Sequence, residues 1–425
     1  MNAISAVLAK PADRDAPRAE ATEAVGDAIA RALADLGVTI AFGVISIHNM
    51  PILDAIARQG RIRFVPARGE AGAMNMADAY ARVSRSLGVV ITSTGTAAGN
   101  AAGSQVEALT AGSPVLHITT QVDRVFMDRD RAAIHDVPRQ GDMLRAISKA
   151  YVRAWEPGNA ADALVAAARA ALTAPTGPVT FEIPVDVQRL PVRARATPFH
   201  LAITPQAPSA SDLDALAALA RKAKRPMLWL GGGARGARAT ATALADRGFA
   251  VVTSTNGRAI VPETHPNSLG AFNMTPAARR VYAEADLMIV VGSRLRGNET
   301  HNNAMALPTP LVQVDADPTQ AGRNYPVDLF VHGDANVVLE GLLARLADRP
   351  KPNGDFLRDV AAARRESEEA LLAQLGPYAT IAGVLRDRVG AGGHPWVRDV
   401  TIANSTFGNR YVTIAAPHLG VHALG

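Results

Sequence analysis

From residue 22 onward the chain alternates short, almost unbroken apolar segments with longer ones whose apolar residues recur every three or four positions. No other feature constrains the fold as strongly. Unbroken apolar segments of this length are strands buried on both faces, and the helices between them must cover those faces. The chain therefore reads as an α/β protein of several domains, with parallel sheets flanked by helices. Thr22 is placed to cap a first helix whose apolar positions Val25, Ile29, Leu33 and Leu36 share one face, and Gly37 ends it. Strands follow over 38–44, 61–67, 89–93, 114–120 and 179–183, with helices over 51–58, 70–83, 99–111 and 160–172.

The pattern repeats after a break. Residues 191–211 carry Pro191, Pro198, Pro205 and Pro208 and read as a linker between a first domain (21–190) and a central one (212–348). The central unit shows helices over 212–223, 239–247 and 336–347, and strands over 227–230, 249–254, 287–291, 311–314 and 329–331. A polar bridge and a charged helix occupy 349–376. The remainder, 377–425, offers one helix and one strand, 399–403, too few elements to bury a core, and reads as the beginning of a third domain. Residues 1–20 read as a flexible arm, not a signal peptide.

Composition narrows the chemistry. There is no cysteine, which removes disulfides, thiolate metal sites and thiol nucleophiles. Basic residues exceed acidic ones by five, but they are scattered and aromatics are 4% of the chain, so no basic stripe or base-stacking platform is evident and the charge suits an anionic small molecule at least as well as nucleic acid. No apolar run approaches the ~18 residues of a membrane helix, and the cytoplasm is the default compartment.

Two segments stand where a strand ends and a helix begins, the usual place for ligands in an open parallel sheet. In Ala67-Arg68-Gly69-Glu70-Ala71-Gly72-Ala73, small neighbours would set the Glu70 carboxyl in a dry pocket suited to proton transfer. The plainer reading is a carboxylate stabilising the helix dipole. In Thr92-Ser93-Thr94-Gly95-Thr96-Ala97-Ala98-Gly99-Asn100, glycines permit close approach and hydroxyls can bind a polar ligand, though a well-capped turn explains them equally. Gly231-Gly232-Gly233-Ala234-Arg235-Gly236 fits G-x-G-x-x-G, but the next strand closes on Thr253, Ser254 and Thr255 where a dinucleotide site wants an acid, so a tight turn is expected and a nicotinamide cofactor is not. The histidines have no metal-ligand spacing. His48 lies just past the first strand and would face the crevice of Glu70.

Together these segments resemble the thiamine-diphosphate-dependent decarboxylases and carboligases, among them acetolactate synthase and benzoylformate decarboxylase. The resemblance is carried by Phe42-Gly43-Val44, Met50-Pro51-Ile52-Leu53-Asp54-Ala55, the Glu70 segment, Met76-Ala77-Asp78-Ala79-Tyr80-Ala81-Arg82 and Gly112-Ser113-Pro114-Val115. It continues through Val291-Gly292-Ser293-Arg294 and Val314-Asp315-Ala316-Asp317-Pro318. It implies pyrimidine-binding, central and diphosphate-binding domains, in a homodimer or homotetramer whose active sites lie between chains. It implies a 2-oxo acid or aldehyde substrate, thiamine diphosphate and Mg2+. Glu70 would be the residue that hydrogen-bonds the aminopyrimidine ring, promotes its imino tautomer and so prepares the thiazolium C2 proton for removal. Thr94, Gly95 and Asn100 would line the cofactor, and Asn404, Ser405 and Thr406 would form the first diphosphate-contact loop. Ile47, His48, Asn49 and Gln121 would line the substrate pocket, with His48 as a second catalytic group.

The departures are informative. Residues 45–49 replace a Pro-Gly-Gly stretch of the synthases, and Ile134-His135-Asp136 replaces Phe-Gln-Glu. Phe272-Asn273-Met274-Thr275 and Arg294-Leu295-Arg296-Gly297-Asn298 replace the stretches associated with FAD, which speaks against that cofactor. The Gly-Asp-Gly…Asn pair that anchors Mg2+ would fall beyond Gly425, so the third domain is expected to be incomplete and the chain inactive alone. Alternatives within the resemblance are an aldehyde lyase or carboligase and a cyclic-diketone hydrolase; a different class is a homologue that keeps the fold without catalysis.

Overall fold

The computed structural model describes residues 21–347 and 354–424, without the side chains of Ile402 and Asn404. The predicted arm and most of the polar bridge therefore lie outside the described residues. The first unit opens with β1 (Thr22–Ala24), α1 (Val25–Asp35), β2 (Ile40–Gly43), α2 (Met50–Gln59), β3 (Arg63–Pro66) and α3 (Glu70–Ser84). It continues with β4 (Gly88–Thr92), α4 (Thr96–Ala111), β5 (Val115–Gln121), α5 (Gln140–Ala146) and β6 (Ala150–Arg153). It ends with α6 (Ala160–Leu172), β7 (Val179–Pro184), α7 (Val185–Arg189) and β8 (Pro191–Arg193).

Six strands form a parallel sheet in the order β3-β2-β4-β5-β7-β6. Every residue of β4, β5 and β7 is buried, whereas the edge strands β3 and β6 are half-exposed. Burial on both faces is what the apolar residues of β4 require, while the polar residues of β5 and β7, His117 and Glu182 among them, are hydrogen-bonded inside. On one face Ile29, Leu33, Ile52, Ile56, Leu164 and Phe181 close the core; each such side chain contributes about 1.5–3 kcal/mol by leaving water. On the other, α3 and α4 pack together over Phe42, Met74 and Val90. Chain order reverses between β2 and β4, so the loops leaving these two strands face each other across a crevice.

The second unit comprises α8 (Ala210–Lys222), β9 (Pro226–Leu230), α9 (Arg238–Asp246), β10 (Ala250–Thr253), α10 (Pro276–Glu284), β11 (Leu287–Val291), β12 (Leu311–Asp315), β13 (Leu329–His332) and α11 (Ala335–Arg345). Its parallel sheet runs β10-β9-β11-β12-β13. The glycine-rich turn lies at its own switch point. A Cβ on Gly231 would stand 2.2 Å from the Gly292 carbonyl oxygen, and Gly292 has φ +57°. These glycines let two backbones cross at the strand ends. The chain then runs through α12 (Gly354–Leu375), α13 (Tyr378–Leu385), β14 (Trp396–Arg398), α14 (Ile402–Ser405) and β15 (Gly420–His422), with β14 and β15 pairing in parallel.

Three expectations are corrected. Thr22 does not cap a helix: it pairs with Arg193 in an antiparallel β1–β8 ribbon, and the Val25 N–H donates to the Leu190 carbonyl. The stretch read as a linker therefore begins as strand, and its Phe199 is buried against the first core with the Arg195 guanidinium 4.7 Å from its ring centre. The expected strand 399–403 is displaced to 396–398, because the Asp399 carboxylate accepts from the Val400 N–H and the Ser405 N–H closes a helical turn on Thr401.

Candidate functional site

Residues 44–49, which follow β2, turn on the side chain of Asn49. Its Oδ1 accepts from the Ser46 N–H (2.9 Å) and its Nδ2 donates to the Val44 carbonyl (2.9 Å), so the fully buried amide is used in building the turn. Ile47 is left 66% exposed beside it, while His48 is buried. The crevice between β2 and β4 is bridged by hydroxyls. Ser46 Oγ and Ser93 Oγ are 2.6 Å apart, and His48 Nδ1 lies 3.4 Å from Ser93 Oγ. The Gln188 amide donates to the His48 carbonyl (2.9 Å), fixing its backbone. The His135 ring meets the His48 ring edge-on at 5.5 Å. Burial, followed by His135, lowers the His48 pKa, with Asp123 opposing, so the imidazole is neutral at neutral pH.

The β4–α4 loop is held from beneath. Thr94 shares its hydroxyl proton between Gln121 Oε1 (2.8 Å) and Gln140 Oε1 (3.1 Å), and the Gly95 N–H donates to Gln140 Oε1 (2.6 Å). Gly95 has φ +64°, and a Cβ there would lie 2.3 Å from the His135 carbonyl oxygen, so this position requires glycine. Gln140 in turn donates to the Thr120 carbonyl and to the buried Glu182 carboxylate, both at 3.1 Å, and Glu182 is met by Arg153 at 2.8 Å. Sequence reasoning missed Gln140: it lies in a short helix after a long loop, and nothing local marks its partner Glu182 as an isolated acid inside a fully buried strand. Gln121 is fully buried; its Oε1 is occupied, while its Nε2 has no hydrogen-bond partner among the described residues.

Glu70 begins α3 at the end of β3, and Asn100 of α4 donates to its Oε2 at 3.1 Å. Two residues singled out in the sequence are thus brought together. The dry pocket expected around Glu70 is not formed among the described residues, where the side chain is half-exposed. α3 and α4 show small or apolar residues to solvent beside it, including Gly72, Met76, Gly99, Gly103 and Val106. Glu70 and His48 each neighbour the β4–α4 segment, through Asn100 and Ser93 respectively. Ser405 is exposed with its hydroxyl on the Thr401 carbonyl, Thr406 is half-buried, and the Asn404 side chain lies outside the described residues. The C-terminal strand meets α3 at Arg82, whose Nη1 donates to the His422 carbonyl. That contact lies about 18 Å along the helix from Glu70 at 1.5 Å per residue.

Behind the crevice lies a second polar layer. His117 is fully buried; its Nδ1 pairs with Gln105 Oε1 (2.6 Å) and its Nε2 with Thr92 Oγ1 (2.8 Å). The Gln105 amide nitrogen donates to Ser148 and Thr180, so its oxygen faces the ring and the proton belongs on Nδ1. Burial pushes this imidazole down to about 3. The unfolded chain therefore takes up the proton first as pH falls. This contribution to stability is complete above about pH 6.5 and is lost toward pH 3. Urea unfolding at about pH 7.5 and about pH 5 is expected to show a loss of roughly 2 kcal/mol from this group, and His117→Gln should remove that part of the pH dependence.

Among the described residues no helix is long and apolar enough to cross a membrane, and no group of three or more His, Asp or Glu side chains is placed to hold a metal ion.

Comparison with known proteins places these sheets. Residues 23–143 match the N-terminal TPP binding domain of thiamine pyrophosphate enzymes, and residues 213–342 match their central domain. A probable 2-ketoarginine decarboxylase from Pseudomonas aeruginosa is 30% identical over 375 residues, covering 87% of this chain and 66% of the relative. A probable acetolactate synthase large subunit from Methanocaldococcus jannaschii is 29% identical over 334 residues, covering 75% of this chain and 56% of the relative. The acetolactate synthase large subunit of Corynebacterium glutamicum is 29% identical over 346 residues, covering 79% and 54%. The chain thus spans between about half and two thirds of the length of these relatives. Two successive domain models of one family, met in order by the two parallel sheets, make this chain a member of the thiamine pyrophosphate enzymes.

Proposed function

We propose that the whole protein is a thiamine-diphosphate-dependent enzyme that releases CO2 from a 2-oxo acid, with or without joining the remaining fragment to a second carbonyl compound. The observation that carries this reading is the Glu70 carboxylate. It starts a helix at a strand end, is oriented through one oxygen by Asn100, and has Oε1 without a hydrogen-bond partner among the described residues. Space is available beside it: a Cβ added at Gly69, Gly72 or Gly99 would meet nothing within 4 Å. A half-exposed carboxylate next to open, small-residue surface fits a flat, nitrogen-bearing ring such as the aminopyrimidine. The relatives' names, a 2-ketoarginine decarboxylase and acetolactate synthases, support the substrate class.

When bound, the coenzyme supplies the electron sink for bond cleavage next to the 2-oxo carbonyl. The chain supplies position and protons. Glu70 would hold the coenzyme's aminopyrimidine ring by a hydrogen bond through Oε1, the atom at which it can hold or release a proton, while Asn100 keeps the other oxygen fixed. Thr94 and Gly95 form the wall, kept rigid by Gln140. His48, neutral and aimed at Ser93, holds or accepts a proton beside the substrate. Ile47 offers an apolar surface to the substrate, while the fully buried Gln121 acts from beneath the loop, bracing Thr94 through Oε1. Asn49 acts by shaping the turn that carries His48. The described residues do not form a Mg2+ site, and no step is assigned to a metal.

A second copy of the chain would cover the exposed α3–α4 face and bring its own residues 404–406, at the end of α14, to the coenzyme, since in the same chain the C-terminal strand β15 meets the far end of α3. A homodimer is the smallest assembly that meets this need. The test is CO2 release from a panel of 2-oxo acids, pyruvate and 2-ketoarginine among them, by the whole protein with thiamine diphosphate and Mg2+. Coenzyme-dependent release from at least one acid is expected. Tight coenzyme binding with no release from any of them would favour the non-catalytic reading.

A further inference from the structure

A buried cationic cluster lies outside the candidate site, where three parts of the chain meet. The first unit contributes Arg82. The central unit contributes Arg235, in the turn after β9, and Arg258. The C-terminal segment contributes Arg398 and His422, paired in register on β14 and β15. The nearby carboxylates are already engaged. Asp78 and Glu107 both contact Arg82 (2.6 and 2.8 Å), while Glu263 grips Arg258 through both oxygens (2.7 and 3.0 Å) and accepts from the Ile414 N–H (2.8 Å). Arg235 reaches neutral oxygens, the carbonyl and side-chain amide of Asn256, at 3.2 and 3.5 Å.

His422 makes the arrangement unusual. It is 6% exposed, and neither ring nitrogen has a hydrogen-bond partner among the described residues. A buried polar ring left unpaired in a native fold calls for an unseen water or ion. The ring lines a small cavity together with Arg235, Arg258 and Arg398, and no carboxylate lines it. The cavity admits the centre of a single water-sized body, about 10 Å³. Burial, reinforced by the arginines around it, pushes His422 down to about 2, so the ring is neutral and offers one N–H. Arg235 is lowered by burial and by Arg82, yet a guanidinium stays charged at neutral pH. The cavity therefore presents positive charge and hydrogen-bond donors to whatever occupies it.

We propose that this cavity binds one chloride-sized anion, held by the Arg235 guanidinium and a His422 ring N–H, with Arg258 and Arg398 supplying the surrounding positive field. The inference is independent of the catalytic reading. Because its ligands come from the central and C-terminal segments, and His422 is tied to Arg82 of the first unit, the anion would lock the three together.

Two measurements on the chain test this. At fixed ionic strength, replacing gluconate by chloride or bromide is expected to raise the unfolding midpoint saturably by about 2–4 °C, and Arg235→Gln should lose that shift while still unfolding cooperatively. Crystals of the unaltered chain soaked in bromide should show an anomalous peak between Arg235 and His422, a readout that holds even if the variant folds poorly. Bromide in the cavity supports the proposal. A cavity without bromide overturns it, whatever the salts do to the midpoint.

Discussion

Replacing Glu70 by glutamine is expected to lower coenzyme-dependent turnover of the whole protein by about 10²–10⁴-fold, the usual weight of one well-placed proton-transfer group. The substitution keeps the shape of the side chain, and its amide oxygen can still accept from Asn100. What it loses is the ability to hold and release a proton at Oε1. Because Glu70 is half-exposed and makes one hydrogen bond, the folded state should be affected by no more than about 0.5 kcal/mol. The expected signature is therefore a fall in kcat with an unfolding midpoint close to that of the unaltered protein, read by steady-state kinetics and thermal unfolding on the same preparations. Asn100→Ala should produce a milder loss, since it frees the carboxylate without removing it. Retention of more than a tenth of the turnover in Glu70→Gln would show that the carboxylate is no more than a helix-terminal charge.

The largest effect on stability is expected at Glu263. Arg258 is 2% exposed and Glu263 is 6% exposed. Arg258 donates to the Gly408 carbonyl at 2.7 Å and also to the Val412 carbonyl, while Glu263 accepts from Ile414. This pair thus joins the central unit to the C-terminal segment. Glu263→Leu would strand a guanidinium with no counter-charge in a buried setting, for which a cost of roughly 3–5 kcal/mol is typical. Urea unfolding should show the loss as a lower midpoint with an unchanged slope. Changing both residues together, to Arg258→Met with Glu263→Leu, should cost less than Glu263→Leu alone, because no uncompensated charge remains. A single-variant loss below about 1 kcal/mol would mean that water reaches the pair and screens it.

The two sheets were legible because most of their strands, β4, β9 and β11 above all, are apolar segments buried on both faces, while β5 and β7 carry polar residues, His117 and Glu182 among them, that the fold pairs inside. Glu70 stood out for another reason, as an acid among small residues at a strand end, and the structure joins it to Asn100 of α4. What escaped the sequence depends on partners far along the chain. Thr22 has the composition of a helix cap, yet Arg193 draws it into a ribbon. Gln140 looks like an ordinary surface glutamine until Gly95, Thr94 and Glu182 are seen to converge on it. The C-terminal strand was misplaced by a few residues because Trp396 and Arg398 owe their extended backbone to pairing with residues 420–422. The dryness expected around Glu70 was inferred from neighbours in sequence, but dryness is a property of what covers a surface, and none of the described residues of the chain encloses this one.

The central claim is that the Glu70 carboxylate activates the bound coenzyme. Hydrogen–deuterium exchange at C2 of thiamine diphosphate, quenched in acid and read by NMR, addresses it without needing to know the substrate. Exchange in the whole protein should be fast, and slower by at least 10²-fold in Glu70→Gln with the coenzyme still bound; equal rates in the two proteins would contradict the account.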